Sequence, residues 1–81
     1  MTDPDIFERT NSLSEEEERL YEHAGDGHGL TAEETRRLEV IQVELDRCYD
    51  LLHQRRASRA AGLDPAAARL RPREVVEKYD Q

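Results

Sequence analysis

The stretch from Leu38 to Leu52, LEVIQVELDRCYDLL, decides the fold. Leu38, Ile41, Leu45, Cys48 and Leu52 recur in it at spacings of 3, 4, 3 and 4. An α-helix turns once in about 3.6 residues, so this spacing lays all five side chains on one stripe. Val40, Val43, Tyr49 and Leu51 widen the stripe on its flanks. No Gly or Pro interrupts the chain between Thr31 and Ala61. The stretch therefore predicts the middle of one long amphipathic helix, whose apolar stripe must be buried against something.

Working outward, Thr31 and Glu34 form a capping box at the start of that helix, and Gly62 is its C′ residue, which places it at about 31–61. The cluster Gly25-Asp26-Gly27-His28-Gly29 ends an earlier helix, predicted at about 4–24. Asp3 reads as its N-cap and Pro4 as its first residue. Ile6, Leu13 and Leu20 recur at sevens, with Thr10, Glu17 and Ala24 between them and Phe7 and Tyr21 on the flank. Ser12 with Glu15, and Ser14 with Glu17, each suit a capping box, so a break near Asn11 is an alternative. The unbroken phase of the stripe across Ser12 favours one helix. A connection of about six residues makes the two helices antiparallel neighbours. The second then overhangs the first by about three turns beyond Leu52. Ile6 is expected near Tyr49, and Glu17 opposite Arg37 as an ion pair.

After Gly62, Asp64-Pro65 repeats the start signal and Ala66 to Leu70 suits a short helix. Pro72 restarts the chain, and Arg73 to Tyr79 suits a final turn or two with Val75, Val76 and Tyr79 as an apolar patch. The expected fold is all-α: an antiparallel two-helix hairpin over 1–62 with a longer second helix, then an Arg-rich tail over 63–81 with short helical turns. The stripe is wider than the more polar first helix can cover. A homodimer is therefore expected, two hairpins pairing into a four-helix bundle through Leu38, Ile41, Leu45, Cys48, Tyr49 and Leu52, with acidic and basic ends meeting antiparallel.

Composition points the same way. The 81 residues are 36% hydrophobic and 38% charged, with no Trp and one Phe, so the core is thin and self-association or a partner is expected. The net charge of −7 is uneven: residues 1–50 carry fifteen acids and five bases, residues 51–81 four acids and seven bases. The acidic half argues against general coating of nucleic acid, while the basic tail suits a local anionic contact. One cysteine excludes an intrachain disulfide. No apolar run approaches the ~20 residues that span a bilayer, and the opening MTDPDIFER has no basic segment followed by an apolar one. A cytoplasmic protein with no membrane contact is the expectation.

Several constellations are candidates for chemistry. His23, Asp26 and His28 have side chains of zinc-binding type, but only three lie together and the loop is glycine-rich, so a solvated hairpin loop is favoured. The acidic run Glu15 to Glu18 with Glu22 lacks the Glu-x-x-His spacing of carboxylate-bridged metal sites and reads as a solvated face. Cys48, on the apolar stripe, reads as a small hydrophobe. No phosphate-binding loop, nucleotide fingerprint or nucleophile elbow occurs. No catalytic residue, metal or cofactor is expected, and no enzyme. The one unusual concentration is Arg55, Arg56, Arg59, Arg69, Arg71 and Arg73, with His53 beside it. These side chains either cover the bundle end and pair with acids, or form a surface for a partner. The leading expectation is a non-enzymatic helical-hairpin interaction or adaptor protein with an unknown protein partner. The alternative is a regulator that meets RNA, DNA backbone, or a ribosome or transcription complex through the arginines of 55–73. No stacking aromatics are interleaved for a single-strand platform.

The chain also resembles a small actinobacterial family known as Domain of Unknown Function 2630. The resemblance is carried by Asp5-Ile6 with Leu13, Glu16-Glu17 before Arg19-Leu20, and Leu45 through Leu52. It continues in Gln54-Arg55-Arg56-Ala57, Gly62 with Asp64-Pro65, and Arg71-Pro72 leading to Val76-Glu77 and Tyr79. Tyr49 stands where the family pattern has a Trp, and Ala61 where it has a larger residue, which thins the packing near the overhang. The resemblance implies no activity, cofactor or site; it does imply that the Arg-rich turn after Leu52 belongs to a shared design.

Overall fold

Two helices and an extended tail make up the computed structural model, which describes residues 2–73 and Val76, and of His28 the backbone only. The first helix, α1, is Asp3–His23 and runs unbroken through Asn11 and Ser12, as the phase of its stripe predicts. Its cap corrects the sequence reading. Thr2, not Asp3, is the N-cap: its hydroxyl accepts from the Asp5 N–H, and the Asp5 carboxylate accepts from the Thr2 N–H at 2.9 Å. A reciprocal box satisfies two groups at the helix start where a lone Asp would satisfy one. It also leaves the Asp3 carboxylate available for a contact elsewhere.

A wide π-type turn, Ala24–His28, closes α1, and Gly27 reverses the chain at φ 90°, a conformation that strains any residue with a Cβ. The second helix, α2, is Ala32–Ala60, opened by the Thr31–Glu34 capping box. It ends in a Schellman motif: Gly62, at φ 74°, donates to the Arg59 carbonyl at 3.1 Å, and Leu63 donates to the Ser58 carbonyl at 2.7 Å.

The helices meet along two lines of side chains. On α1 the line is Asp3, Ile6, Thr10, Leu13, Glu17, Leu20 and Ala24, all buried or half-buried; on α2 it is Leu38, Ile41, Leu45, Cys48, Leu52 and Arg55, all buried. Thr10 is admitted because its hydroxyl donates to the Ile6 carbonyl at 2.8 Å, so no polar atom is left unmatched. One flank of the seam is ionic. Arg9 pairs with Glu44 and Arg37 with Glu16, the second through two bonds including one of 2.8 Å. The expected partner Glu17 is thus corrected to Glu16. Glu17 stands on the seam itself, whereas Glu16 stands one residue before it, as Arg37 stands one residue before Leu38.

The tail departs most from expectation. In place of a helix over Ala66 to Leu70 there is one 3-10 turn, Pro65–Ala67, capped by the Asp64 side chain, which accepts from the Ala66 N–H at 2.9 Å. Ala68 is then extended, at φ −65° and ψ 144°. The extended chain lets Ala68 and Leu70 pack on the cluster of Ile6, Cys48, Leu51 and Leu52. Val76 is buried as well. Val75 and Tyr79 of the predicted patch lie outside the described residues. Among the described residues there is no strand, and no helix is long and apolar enough to cross a membrane.

Candidate functional site

The arginines singled out in the sequence lie at the open end of the hairpin, where the structure brings α1, α2 and the tail together. Arg55 continues the α2 stripe in phase and is only 8% exposed. Its guanidinium is bonded to the Asp3 carboxylate and donates to the Pro65 carbonyl at 3.1 Å, so one side chain ties all three segments. Arg59 reaches the other Asp3 oxygen at 2.6 Å. The Arg55 guanidinium, with Arg59 beside it, holds the Asp3 carboxyl below its usual range. Arg69 turns back onto the tail's own carbonyls at Ala66 and Ala68, and Arg71 lies 3.4 Å from Asp50. Arg73 is exposed and also has a partner. Arg56 is exposed and makes no hydrogen bond or ion pair among the described residues. Five of the six candidates are thus engaged, at least four of them within the chain itself.

The end α2 was expected to leave bare is therefore covered. α1 reaches Arg55 and Arg59 through Asp3, and the tail returns along α2. Gln54 donates to the Arg69 carbonyl at 2.7 Å, and Arg47 to the Arg71 carbonyl at 3.0 Å. Leu51, a flank position of the original stripe, is 3% exposed beneath this strap. Sequence reasoning missed Arg47, Asp50 and Gln54 as contacts of the strap, and Asp3 as the partner of Arg55 and Arg59. The signal that could have found them is Leu51, which lies off the seam and needs a second cover. Beside the strap an open groove of about 570 Å³ runs along the back of α2, lined by Asp46, Tyr49, His53, Ala57, Arg71 and Val76 among others.

The candidate interface residues divide. Leu38, Ile41, Leu45, Cys48 and Leu52 are buried inside the single chain, whereas Tyr49 is 47% exposed. Tyr49 has company. Phe7, Tyr21 and Tyr49 each stand one residue after a seam position (Ile6, Leu20, Cys48), on the flank opposite the ion pairs, and all three are about half exposed. Ser14 and Gln42 hold the equivalent places after Leu13 and Ile41, and Thr35 the place after Glu34. At sevenfold spacing this flank presents uncharged side chains, Phe7, Ser14 and Tyr21 on α1 and Thr35, Gln42 and Tyr49 on α2, while Glu18, Glu39 and Asp46 follow the intervening seam positions Glu17, Leu38 and Leu45.

Cys48 is fully buried, and burial pushes its thiol up, so it is chemically quiet in the folded chain. His23 lies 3.8 Å from Glu34. Among the described residues, no group of three or more His, Cys, Asp or Glu side chains could hold a metal ion.

The profile of the family described as "Protein of unknown function (DUF2630)" matches residues 2–81. The chain belongs to this family. It is 41% identical over 78 residues to the uncharacterized protein Rv0898c of Mycobacterium tuberculosis strain H37Rv, covering 96% of this chain and 90% of the relative. The uncharacterized protein Mb0922c of Mycobacterium bovis matches at the same identity over the same shares. No solved structure matches the chain significantly. Membership in the DUF2630 family brings the chain no assigned reaction or ligand, so the reading of function rests on the flank and the strap.

Proposed function

We propose that the protein acts by binding rather than by catalysis, as a small helical module that pairs with a second copy of itself through the flank of Phe7, Tyr21 and Tyr49. The observation that carries this reading is the symmetry of that flank. Ser14 is the midpoint of Phe7 and Tyr21, and Gln42 is the midpoint of Thr35 and Tyr49. The register of the antiparallel seam sets Ser14 beside Gln42. A two-fold axis through this pair lays the Phe7–Tyr49 end of one hairpin over the Tyr21–Thr35 end of the other, as a self-complementary contact requires. Aromatic side chains are the best anchors for such a contact. The product is an antiparallel four-helix bundle whose core-facing residues differ from those read in the sequence, with Tyr49 common to both.

Light scattering tests the reading. The wild type is expected to have the mass of a dimer at tens of micromolar. Tyr49→Glu is expected to have the mass of a monomer, and circular dichroism checks that its helix content is kept. A wild type that stays monomeric at about 100 µM, a concentration that would populate any dimer of roughly 8 kcal/mol or better, overturns it. The arginine surface has no comparable support as a nucleic-acid site, since its guanidinium groups are mostly engaged.

A further inference from the structure

The tail rests on α2 in the manner of a bound peptide. Its three anchors are side chains of α2 that donate to main-chain carbonyls of the tail: Arg55 to Pro65 at 3.1 Å, Gln54 to Arg69 at 2.7 Å and Arg47 to Arg71 at 3.0 Å. Any extended segment presents such carbonyls, so these bonds fix a path and not a sequence. Sequence is read by what alternates along the strap. Ala68 and Leu70 pack on the cluster of Ile6, Cys48, Leu51 and Leu52, while Arg69 turns back along the strap and Arg71 meets Asp50. The path therefore suits a small residue, a Leu two places on, and an Arg directly after it.

The connection to α2 is slender. It consists of Gly62, whose turn requires φ 74°, then Leu63, which is 65% exposed, and Asp64, which is exposed too. Nothing in these three residues depends on whether the strap lies on its own hairpin or on another.

We propose that the face of α2 beneath the strap is a peptide-docking track, and that the tail of a second copy of this chain can take the place of the resident one. Closed and exchanged forms make the same strap contacts, so the balance between them is set by the Gly62 turn and by protein concentration. The track lies on the side of α2 that carries Arg47, Leu51 and Gln54, away from Phe7 and Tyr21. Tyr49 borders the strap across the groove that Arg71 and Val76 also line, so Phe7 and Tyr21, not Tyr49, separate exchange of the strap from pairing through the flank.

The test uses the full chain carrying Leu70→Asp, which spoils the resident strap and leaves the track intact. The probe is a synthetic peptide of residues 63–73, and the readout is the labelling rate of Cys48, a thiol with 0% exposure in the cluster on which Ala68 and Leu70 pack. Cys48 in the variant is expected to label at least roughly tenfold faster than in the wild type, because exposure governs thiol access. Adding the peptide, or an excess of the wild-type full chain, is expected to bring the rate back toward that of the wild type in a saturable way. An unchanged rate in the variant overturns the proposal, because the strap is then not what covers the track. A fast rate that neither addition slows also overturns it, as does equal protection by a peptide of the same residues in scrambled order. Protection by the peptide but not by the wild-type chain overturns exchange between copies. Circular dichroism guards the variant's fold. Should the variant lose its helix signal, Asp50→Asn, which weakens the Arg71 contact and the bond from Gln54, is read by the same two additions. Tyr21→Glu added to either variant separates exchange from pairing through the flank, since Tyr21 lies at the far end of α1 from the strap and exchange is expected to survive its loss.

Discussion

Arg55 on α2 and Asp3 on α1, 52 residues apart in sequence, are bonded across the open end of the hairpin, and the same guanidinium holds the tail at Pro65. This is the point at which the chain's first turn, its long helix and its strap depend on one side chain. A planar guanidinium with several donors can serve a carboxylate and a carbonyl at once, which an ammonium does less well. Arg55→Lys is therefore expected to retain the Asp3 contact and weaken the strap. Arg55→Ala is expected to lower the melting temperature by about 5 °C or more, since a shift of 4–8 °C accompanies roughly 1 kcal/mol in a domain of this size. Thermal denaturation of the two variants checks the order. Equal melting for the wild type and Arg55→Ala would show that the end is not held this way.

Acid is expected to loosen the hairpin for a reason that can be assigned to named carboxylates. Asp3 is held below its ordinary value chiefly by Arg55, Asp5 by the Thr2 main chain, Glu16 by Arg37 and Glu34 by the Thr31 main chain. A carboxyl depressed in the folded state stabilises it at pH above its unfolded value, and that contribution fades as pH falls through the folded one. The ordinary values are 3.8 for Asp and 4.5 for Glu. Stability is therefore expected to be level from pH 7 to about 5 and to decline below about 4.5. Melting curves between pH 3 and pH 7 measure it. Glu16→Gln should flatten part of the decline, and an unaltered profile in that variant would remove Glu16 from the explanation.

The helices were legible because their signals are local and periodic. The Thr31–Glu34 box, the unbroken stripe from Leu38 to Leu52 and the Gly62 stop each lie within a few residues of what they specify. Even the phase of Arg55 on the stripe was visible. Its partner was not, because no periodicity links Asp3 to a position 52 residues on, and the sequence assigns Asp3 to a cap that Thr2 in fact supplies. The strap was illegible for a different reason. It is held by side chains reaching main-chain carbonyls, and a carbonyl leaves no trace in residue identity. Four nearby residues with good helix propensity, Ala66, Ala67, Ala68 and Arg69, pointed to a helix. The gain from seating Ala68 and Leu70 on the core outweighs that propensity, which is worth only tenths of a kcal/mol per residue.

The engagement of the arginines changes how an anionic partner must be sought. Reversing Arg55, Arg56 and Arg59 together confounds binding with folding, because Arg55 and Arg59 are bonded to Asp3. Arg56 is exposed one residue beyond the buried Arg55 and separates the two. Arg56→Glu is expected to leave the melting temperature within about 2 °C of the wild type, as surface substitutions usually change stability by less than 0.5 kcal/mol. Arg55→Glu is expected to unfold the open end. If the chain binds RNA or DNA through this end, Arg56→Glu alone should weaken that binding and lower its salt dependence by about one charge. Binding measured at two salt concentrations decides, and an Arg56→Glu variant that binds as tightly as the wild type sinks the nucleic-acid reading without any doubt about folding.

Val40 and Ile41 are neighbours of similar size and character, yet the first is 48% exposed and the second fully buried on the seam. Truncating each to Ala therefore separates the seam from the rest of the apolar stretch. Ile41→Ala removes buried methyl groups and leaves a cavity between α1 and α2, at a cost of about 2–4 kcal/mol for such changes. In a chain of this length that is a large part of the whole stability, so the variant should be partly unfolded at 37 °C. Val40→Ala gives up only half-exposed surface and should cost less than about 1 kcal/mol. It has a slight opposing gain, because Ala suits a helix better than a β-branched residue. Urea denaturation of the two variants gives both values on one scale. A Val40→Ala variant as damaged as Ile41→Ala would mean that Val40 is covered in solution. Such cover would lie on the side of α2 opposite the one assigned to self-pairing.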